Sequence, residues 1–350
     1  MKGSVLLVVL LQFAAVFGQE RAASRLFDHA VFQNYTMKDG LASNYCYDVL
    51  QDQKGTIWIA TLNGLNRFNG NHWETYQQQT ESKNKQLPAN WVMDIDEEKG
   101  KRIWINTDRG IACCNLTGDS VYRFPEPIKG WGKISVVRPG QILVSAWTGL
   151  EWFKQENKQL HSIQTFPETN GNSFPFIYRG PYGSTWTCPE DHPSIIRLNT
   201  RTGKLKYIRS VFFRGKKISP VIKGMLQLNR YQLILATKQN GLLLYNIRTN
   251  HATAFFPEQF SAKTSYGPLI RYRIGKEHFL LIGTQSEGLL VWNERTHQRT
   301  SVRYNASDPK SLCSNQILAL YADNNDGALI ATGMGESYFN PSLQKNKSYH

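Results

Sequence analysis

The chain has 350 residues, a formal net charge of +14, and 12% aromatic residues but only five methionines. This composition favours β-structure, and no amphipathic pattern is long enough for a three-turn helix. After the first eighteen residues no segment is long and apolar enough to cross a bilayer, which excludes a polytopic membrane protein. The basic charge points to an anionic polysaccharide or an anionic envelope surface as partner, with an ordinary solvated surface as the alternative.

The first eighteen residues have the pattern of a secretory signal. Lys2 supplies a positive charge, residues 5–11 form a short apolar stretch, and residues 16–18 provide small side chains for cleavage. We therefore expect residues 1–18 to be a signal peptide and the mature chain to begin near Gln19. A signal anchor is the alternative. The prediction implies an exported protein. Because an exported protein that does not depend on disulfides fits a bacterial periplasm, we expect a periplasmic location, where no nucleic acid is expected as a partner.

One sequence pattern returns along the rest of the chain: an apolar run, a Thr or small residue, a few variable residues, a Gly and an apolar-aromatic run. It is clearest at residues 57–68 and 280–289. Its glycine recurs at Gly64, Gly110, Gly149, Gly241, Gly288 and Gly335. The gap between Gly149 and Gly241 is two repeats long, and a degenerate copy at 186–198 fills it. Repeats of about 45 residues with alternating strands are typical of propeller blades. The sequence predicts an all-β fold, a seven-bladed β-propeller of four-stranded antiparallel blades.

The predicted propeller is a single domain over residues 19–350. Its repeats lie near 40–79, 87–127, 131–170, 174–211, 218–259, 266–304 and 312–350. The segment 27–36 resembles the outer strand of a repeat but has no blade of its own at that end of the chain. We expect it to close the last blade, because closure removes the exposed edges of the array. Residues 344–350 are a second candidate for the same position.

The first repeat serves as the template for a blade. Asp52–Gly55 is a predicted turn in which the Asp side chain accepts backbone N–H groups, and the same turn is predicted at 96–100 and 323–327. Residues 323–327 also resemble a calcium loop, but they lack its spacing and its Glu, so no metal or other cofactor is predicted. Large side chains are expected to fill the wedges between blades: Trp58, Trp104 and Trp186.

The cysteines are predicted to be small buried residues rather than a disulfide framework. They are Cys46, Cys113, Cys114, Cys188 and Cys313, an odd number with no CxxC pair. The adjacent Cys113 and Cys114 should point to opposite faces of a strand.

Candidate ligand-binding residues follow from the loops of a propeller. The connections from outer to next inner strand and from second to third strand share one face, around the mouth of the central channel, where binding residues concentrate. The first kind of loop supplies Asn44, Asn90, Trp91, Trp131, Tyr266 and Asn315. The second kind supplies Asp108, Arg109, Trp147, His192, Lys238 and Gln285. Such groups suit an oligosaccharide, and Arg109 and Lys238 suit its sulfates or carboxylates; alternatively they are ordinary exposed loop residues.

No catalytic residue is predicted. A glycan hydrolase or lyase would need paired carboxylates, or a His with a carboxylate, at the channel mouth. Asp108 and the cluster at 189–192 are the candidates for such a role, and neither has a partner motif. A sensor module is therefore favoured, with a non-catalytic protein-docking propeller as the alternative and an enzyme as the weaker one.

The opening Lys38-Asp39-Gly40-Leu41-Ala42-Ser43-Asn44-Tyr45, followed by residues 51–61 and 63–68, resembles the two-component regulator propeller repeat. The resemblance covers nearly all of residues 27–350 and is sharpest in repeats one, two, six and seven. It implies the N-terminal propeller of the periplasmic sensor domain of a hybrid two-component system of Bacteroidetes.

The same resemblance implies partners that this chain does not contain: a second propeller, a β-sandwich, a membrane span that anchors the receptor in the inner membrane, and a histidine kinase. Such receptors sense oligosaccharides and control polysaccharide-utilisation genes. The resemblance therefore implies an oligosaccharide ligand for this chain. A homodimer is a further candidate assembly.

Overall fold

The structure is a computed structural model that describes residues 26–124, 132–146, 149–190, 192–256 and 264–344. Within them, thirty strands form seven sheets, six with four strands and one with six. The innermost strands of successive sheets contact each other around a central channel, and the last contacts the first. The seven-bladed propeller predicted from the repeats is confirmed. The predicted signal peptide, residues 1–18, lies outside the described residues.

The chain enters through strand β1 (Phe32–Tyr35) and then forms blades one to four in order. Blade one contains β2 (Cys46–Gln51), β3 (Ile57–Thr61), β4 (Gly64–Phe68) and β5 (Trp73–Tyr76). Blade two contains β6 (Val92–Glu98), β7 (Arg102–Thr107), β8 (Gly110–Asn115) and β9 (Val121–Arg123). Blade three contains β10 (Ile134–Arg138), β11 (Gln141–Ala146), β12 (Gly149–Glu156) and β13 (Gln159–Phe166). Blade four contains β14 (Ile177–Arg179), β15 (Ser184–Thr187), β16 (Ile195–Asn199) and β17 (Leu205–Ile208).

Blades five to seven complete the ring. Blade five contains β18 (Val211–Phe213), β19 (Lys216–Ile218), β20 (Ile222–Gln227), β21 (Gln232–Thr237), β22 (Leu242–Asn246) and β23 (His251–Ala254). Blade six contains β24 (Tyr266–Ile274), β25 (Glu277–Thr284), β26 (Leu289–Asn293) and β27 (Arg299–Val302). Blade seven contains β28 (Ile317–Ala322), β29 (Ala328–Thr332), β30 (Gly335–Phe339) and, as its outer strand, β1. The described helical segments are single turns: Met37–Asp39, Lys83–Lys85, Pro167–Thr169 and α1 (Pro341–Gln344).

The ring is closed by the N-terminal strand. Strand β1 pairs antiparallel with β30, with Phe32 opposite Phe339 and Tyr35 opposite Glu336. The Phe27 ring stacks on Phe339 with centroids 4.6 Å apart. The side chain of Gln344, in α1, accepts a hydrogen bond from the Val31 N–H and donates one to the Val31 carbonyl, both at 2.8 Å. Residues from both ends of the chain thus hold the last blade, and residues 345–350, the rest of the second candidate strand, lie outside the described residues.

The sequence did not predict the outer edge of blade five. Strands β18 and β19 form an additional hairpin between the fourth and fifth repeats, and β18 pairs in parallel with β23. Val211 and Ile218 of this hairpin pack with Trp186 of blade four. The hairpin therefore fills the outer part of the wedge between blades four and five and extends the fifth sheet to six strands.

The turn between the first two strands of a blade is held by a buried carboxylate. Asp52 accepts hydrogen bonds from the backbone N–H groups of Lys54 and Thr56 and from the Trp58 indole, at 2.8, 3.0 and 2.8 Å. In blade seven, Asp323 accepts the N–H groups of Asn325 and Gly327 in the same way. Both observations confirm the predicted turn chemistry.

The prediction for residues 96–100 is wrong in its register. Asp96 lies within strand β6, and Glu98 occupies the place of Asp52 in this blade. Glu98 accepts a hydrogen bond from the Trp104 indole at 3.2 Å, as Asp52 does from Trp58. The longer Glu side chain reaches the indole from the same relative position, six residues before the tryptophan, so Asp96 is free to face the next blade.

The recurring Thr and Gly build the connection between the second and third strands. In five blades the Thr hydroxyl donates a hydrogen bond of 2.7–2.8 Å to the carbonyl of the recurring Gly, which closes the connection. The glycine has a positive φ, for example 136° at Gly64, and a Cβ there would lie 2.6 Å from the Tyr76 carbonyl. Positive φ and close backbone approach together explain why this position is Gly.

The predicted packing roles are also confirmed. Trp58, Trp104 and Trp186 have no exposed surface and lie in the cores between blades. All five cysteines are free thiols, and four of them are buried. Cys113 and Cys114 belong to different core clusters on the two faces of β8, as neighbours in a strand must.

Candidate functional site

The central channel contains a cavity of about 730 Å³. Its wall is formed by the innermost strands of the blades and by the residues next to them, so its position follows from ring closure. Ligand-sized pockets on rigid scaffolds are about 300–1,000 Å³ and combine apolar walls with a few converging polar groups. This cavity fits that description and is the candidate ligand site.

The polar groups of the cavity are mostly paired cations and carboxylates. The Lys133 ammonium lies 2.8 Å from Asp94, and the Lys223 ammonium lies 3.0 Å from Glu190. Lys238 lines the same cavity, is exposed, and forms no ion pair with a carboxylate of the described residues. It is therefore a cation of this cavity whose charge an incoming ligand can meet without breaking an existing pair.

Two carboxylates also join neighbouring blades around the channel. Asp48 of blade one accepts a hydrogen bond from the Ile95 N–H of blade two at 3.1 Å. Asp94 of blade two accepts the Ile134 N–H of blade three at 2.7 Å. Each carboxylate thus satisfies a backbone donor of the following inner strand, which is otherwise without a ladder partner there. These acids support the channel wall.

Burial raises the pKa of carboxyl groups in the channel wall and next to it. Burial and the neighbouring charge of Asp94 raise the pKa of Asp48 well above its ordinary value, although Lys133 opposes the shift. Burial raises the pKa of Asp96 to about 6, against the lowering effect of Arg179. For Lys133, burial lowers the pKa, but the charges of Asp94 and Asp48 outweigh it and raise the pKa overall. The buried Asp48, Asp94 and Lys133 thus influence one another electrostatically within one wall of the channel.

Three of the residues predicted from the loops line this cavity: Lys238, Tyr266 and Gln285. Lys238 and Gln285 are exposed, and Gln285 accepts a hydrogen bond from the Gln316 amide at 3.5 Å. Tyr266 is almost fully buried, at 1% exposure, so only a small part of its ring reaches the cavity. Lys238 and Gln285 are therefore the predicted residues that a ligand in the channel can contact most directly.

The three predicted asparagines occupy equivalent positions and have a structural partner each. Asn44 accepts a hydrogen bond from the Met37 N–H, Asn90 from the Gln78 N–H and Asn315 from the Tyr304 N–H, at 2.7, 2.7 and 2.8 Å. Each donor lies two residues beyond the end of the preceding outer strand. The asparagines thus fix the crossing from one blade to the next, and none of them lines the channel cavity.

Replacing Asn90 by Ala is expected to lower the free energy of unfolding by about 0.5–1.5 kcal/mol, because it removes the hydrogen bond that the Gln78 N–H donates to the Asn90 side chain at the blade crossing. Chemical denaturation followed by tryptophan fluorescence measures the change. Gln239→Ala is the matched control, since Gln239 is an exposed loop residue without a side-chain hydrogen bond among the described residues. Equal stability of the two variants would contradict the crossing role.

The remaining predicted residues that the structure describes lie outside the cavity. Trp91 packs against Tyr47, with ring centroids 5.7 Å apart, and so supports a cavity residue from behind. Asp108 and Arg109 form an ion pair at 3.8 Å, and the Arg109 side chain is 71% exposed. His192 is exposed. Trp131 and Trp147 lie outside the described residues.

Loop-based reasoning missed the cavity residues that lie on the inner strands or directly beside them. Tyr47, Asp48, Asp94, Lys133 and Lys223 all line the channel. The repeats contained a signal for two of these residues, because Asp48 and Asp94 each lie ten residues before the recurring tryptophan of their blade, Trp58 and Trp104.

Within the described parts of the chain, no three His, Cys, Asp or Glu side chains are placed to hold a metal ion. No described helix is long and apolar enough to cross a membrane.

A family comparison supports the repeat assignment. Residues 40–63 match the family model described as two component regulator propeller. This stretch contains the start of blade one, the Asp52 turn and the Thr61 connection. The match confirms the resemblance that the sequence showed: the chain contains a two component regulator propeller repeat within a seven-bladed propeller.

Solved structures with the same fold come from B. thetaiotaomicron. The extracellular domain of BT4673, described as a hybrid two component system, aligns with a TM-score of 0.70 and 19% identity, over 89% of this chain and 39% of that chain. The extracellular domain of BT3049, described in the same way, aligns with a TM-score of 0.68 and 19% identity, over 89% of this chain and 42% of that chain. At this identity the likeness establishes the fold.

A curated relative gives a shorter match. Histidine kinase P4 of Formosa agariphila is 34% identical over 74 residues, which is 21% of this chain and 5% of that protein. The chain thus spans less than half of these two solved structures and a small part of the kinase.

Proposed function

We propose that this chain is an exported ligand-sensing propeller of a two-component signalling receptor and that it binds an oligosaccharide in its central channel. The observation that carries the proposal is the cavity of about 730 Å³, with Lys238 and Gln285 exposed at its wall and tyrosines beside them. Hydroxyl-rich rings need converging hydrogen-bonding groups next to apolar and aromatic surface, and the cavity supplies both.

The comparisons support the signalling part of the proposal. Two of the solved structures that share the fold are extracellular domains of proteins described as hybrid two component systems, and the curated relative is a histidine kinase. In the complete receptor, a propeller would act through rigid-body movement against the neighbouring domain, because its blades share one packed ring. We propose that this movement controls a kinase in the inner membrane and, through it, polysaccharide-utilisation genes.

The proposed module has no catalytic role. The carboxylates of the channel are engaged with backbone N–H groups or ammonium groups, as Asp94 is with Ile134 and Lys133. A protein-docking propeller is the second candidate, since the ring presents loops that a partner domain could cover. A glycan hydrolase or lyase is the third, and turnover of any fragment in a reducing-sugar assay would establish it.

Replacing Lys238 by Ala is expected to weaken binding of an acidic oligosaccharide by about 1–3 kcal/mol, the range for a lost charge-assisted hydrogen bond. Isothermal titration calorimetry with oligogalacturonate and sulfated glycan fragments measures the change. Arg109→Ala is the matched control, because Arg109 is a loop cation on the same face but outside the cavity.

The outcomes separate the candidate functions. Weaker binding by the Lys238 variant alone would place the ligand in the channel. Equal loss in both variants would indicate diffuse electrostatic attraction, and salt-independent binding of a neutral fragment would contradict an anionic ligand. Absence of binding to the whole panel, with binding to a receptor domain, would favour the docking propeller.

A further inference from the structure

The positive charge of this protein is concentrated in one part of the chain. Residues 192–257 contain twelve Lys and Arg and no Asp or Glu, against a net charge of +14 for the whole sequence. This segment forms the outer half of blade four and most of blade five. Because the rest of the chain is close to neutral, one side of the ring carries nearly all of the net charge.

Seven of these cations lie on a continuous stretch at the outer rim. Strand β17 is separated from the additional hairpin β18–β19 by only two residues, and the side chains of this stretch are exposed: Arg201, Lys204, Lys206, Arg209, Arg214, Lys216 and Lys217. We call this set the basic rim. Within the described residues none of the seven forms an ion pair with a carboxylate. Its charge is therefore unneutralised.

The hairpin adds an aromatic surface to the basic rim. Phe212 lies opposite Lys217 in the hairpin and beside His251 of β23. The Phe212 and His251 rings are stacked, with centroids 5.2 Å apart and planes 21° apart, and Phe212 is 40% exposed. Residues opposite each other in paired strands share a face, so Lys217, Phe212 and His251 form one exposed row.

We propose that the basic rim is a second binding site, distinct from the channel cavity, for a linear acidic polysaccharide whose uronate or sulfate groups meet the cations. An exposed aromatic row beside cations presents a ring face to a pyranose and charges to its substituents, which is the complementarity that such a chain needs. The choice of a polysaccharide over nucleic acid relies on the exported location in the proposed function.

The geometry also argues against a lipid bilayer as the occupant. Insertion into a bilayer interface requires apolar side chains that protrude beyond the cations. Phe212 is instead stacked on His251, and the neighbouring Val211 is buried between blades. The rim therefore offers a flat aromatic surface. Lys216 and Lys217 on the edge strand β19 also discourage strand addition by another protein.

The test uses dextran sulfate and polygalacturonate as probes, with neutral dextran, phosphatidylglycerol vesicles and double-stranded DNA as comparisons. The double variant Lys216→Gln/Lys217→Gln of the full chain is expected to raise the Kd for the acidic polysaccharides about tenfold or more, because two charge-assisted contacts are lost. Binding should also depend less on salt. The matched control is Lys276→Gln/Lys310→Gln, which removes two exposed lysines from the blade six hairpin and the blade six to seven crossing.

The expected result is a loss confined to the rim variant, with Phe212→Ala also weakening binding and the control remaining within about twofold. Equal losses in the rim and control variants would overturn the proposal, as would tighter binding to vesicles or DNA than to both polysaccharides. The Lys216→Gln/Lys217→Gln variant separates the two sites, since it should lose polysaccharide binding at the rim whether or not an oligosaccharide binds in the channel. Failure of oligosaccharide binding in the channel would therefore not affect the outcome at the rim.

Discussion

Replacing Phe27 and Phe32 together by Ala is expected to lower the free energy of unfolding by about 6 kcal/mol, since each buried Phe→Ala change costs about 3–5 kcal/mol. Both side chains are 3% exposed, and both contact Phe339 of blade seven. A domain of this kind has about 5–15 kcal/mol in total, so the double variant should lose a large share of its stability.

Denaturant unfolding followed by far-UV circular dichroism measures this change. Ile163→Ala is the control, because Ile163 is 48% exposed on the outer strand of blade three and contributes little to a core. The double variant should also unfold with a smaller m-value if the ring opens at blade seven before the rest melts. A loss of less than about 2 kcal/mol would show that β1 is not needed to close the ring.

Replacing Glu336 by Gln is expected to stabilise the protein at neutral pH. Glu336 has no exposed surface, and its carboxyl oxygens have no hydrogen-bond partner among the described residues. Burial raises the pKa of Glu336 well above its ordinary value, and the charge of Asp48 raises it further, with partial opposition from the Ile330 backbone amide. The folded state therefore holds the proton of this carboxyl more tightly than the unfolded chain does.

The sign of the pH dependence follows from that difference. Below the ordinary pKa of about 4.5 the carboxyl is protonated in both the folded and the unfolded state, so it does not make the free energy of unfolding depend on pH. As the pH rises above this value only the unfolded state loses its proton, and stability falls by about 1.4 kcal/mol per pH unit until the pKa of the folded state is reached. The Gln variant should lack this loss.

The measurement is the free energy of unfolding of both proteins from pH 4 to pH 8, and their difference should grow with pH. Glu336→Leu is a second variant, because the same position after the recurring Gly holds Leu65, Ile111, Leu150, Leu242 and Leu289 in other blades. It should be stabilising at pH 7 as well. A constant difference across the pH range would mean that Glu336 does not change its protonation on unfolding.

The residues predicted for the candidate site do not form one cluster in the structure. Lys238, Tyr266 and Gln285 line the channel, whereas Asn44, Asn90 and Asn315 lie at the blade crossings. An asparagine that binds a ligand and one that accepts a backbone N–H have the same sequence context, so the loop position alone could not separate them. Their equal spacing before the inner strands was the available sign of a structural role.

The number of blades, the strand-turn-strand pattern, the buried tryptophans and the Thr–Gly connection were determined by the sequence itself. These features depend on contacts within one repeat, such as Asp52 with Trp58 or Thr61 with Gly64, and local contacts leave a periodic pattern in the chain. Only the tertiary structure decided which residues meet across blades. The pairing of Asp48 with the backbone of Ile95, the docking of the additional hairpin on blade five and the burial of Glu336 all depend on packing between segments that are distant in sequence, and their separation carries no information about their contact.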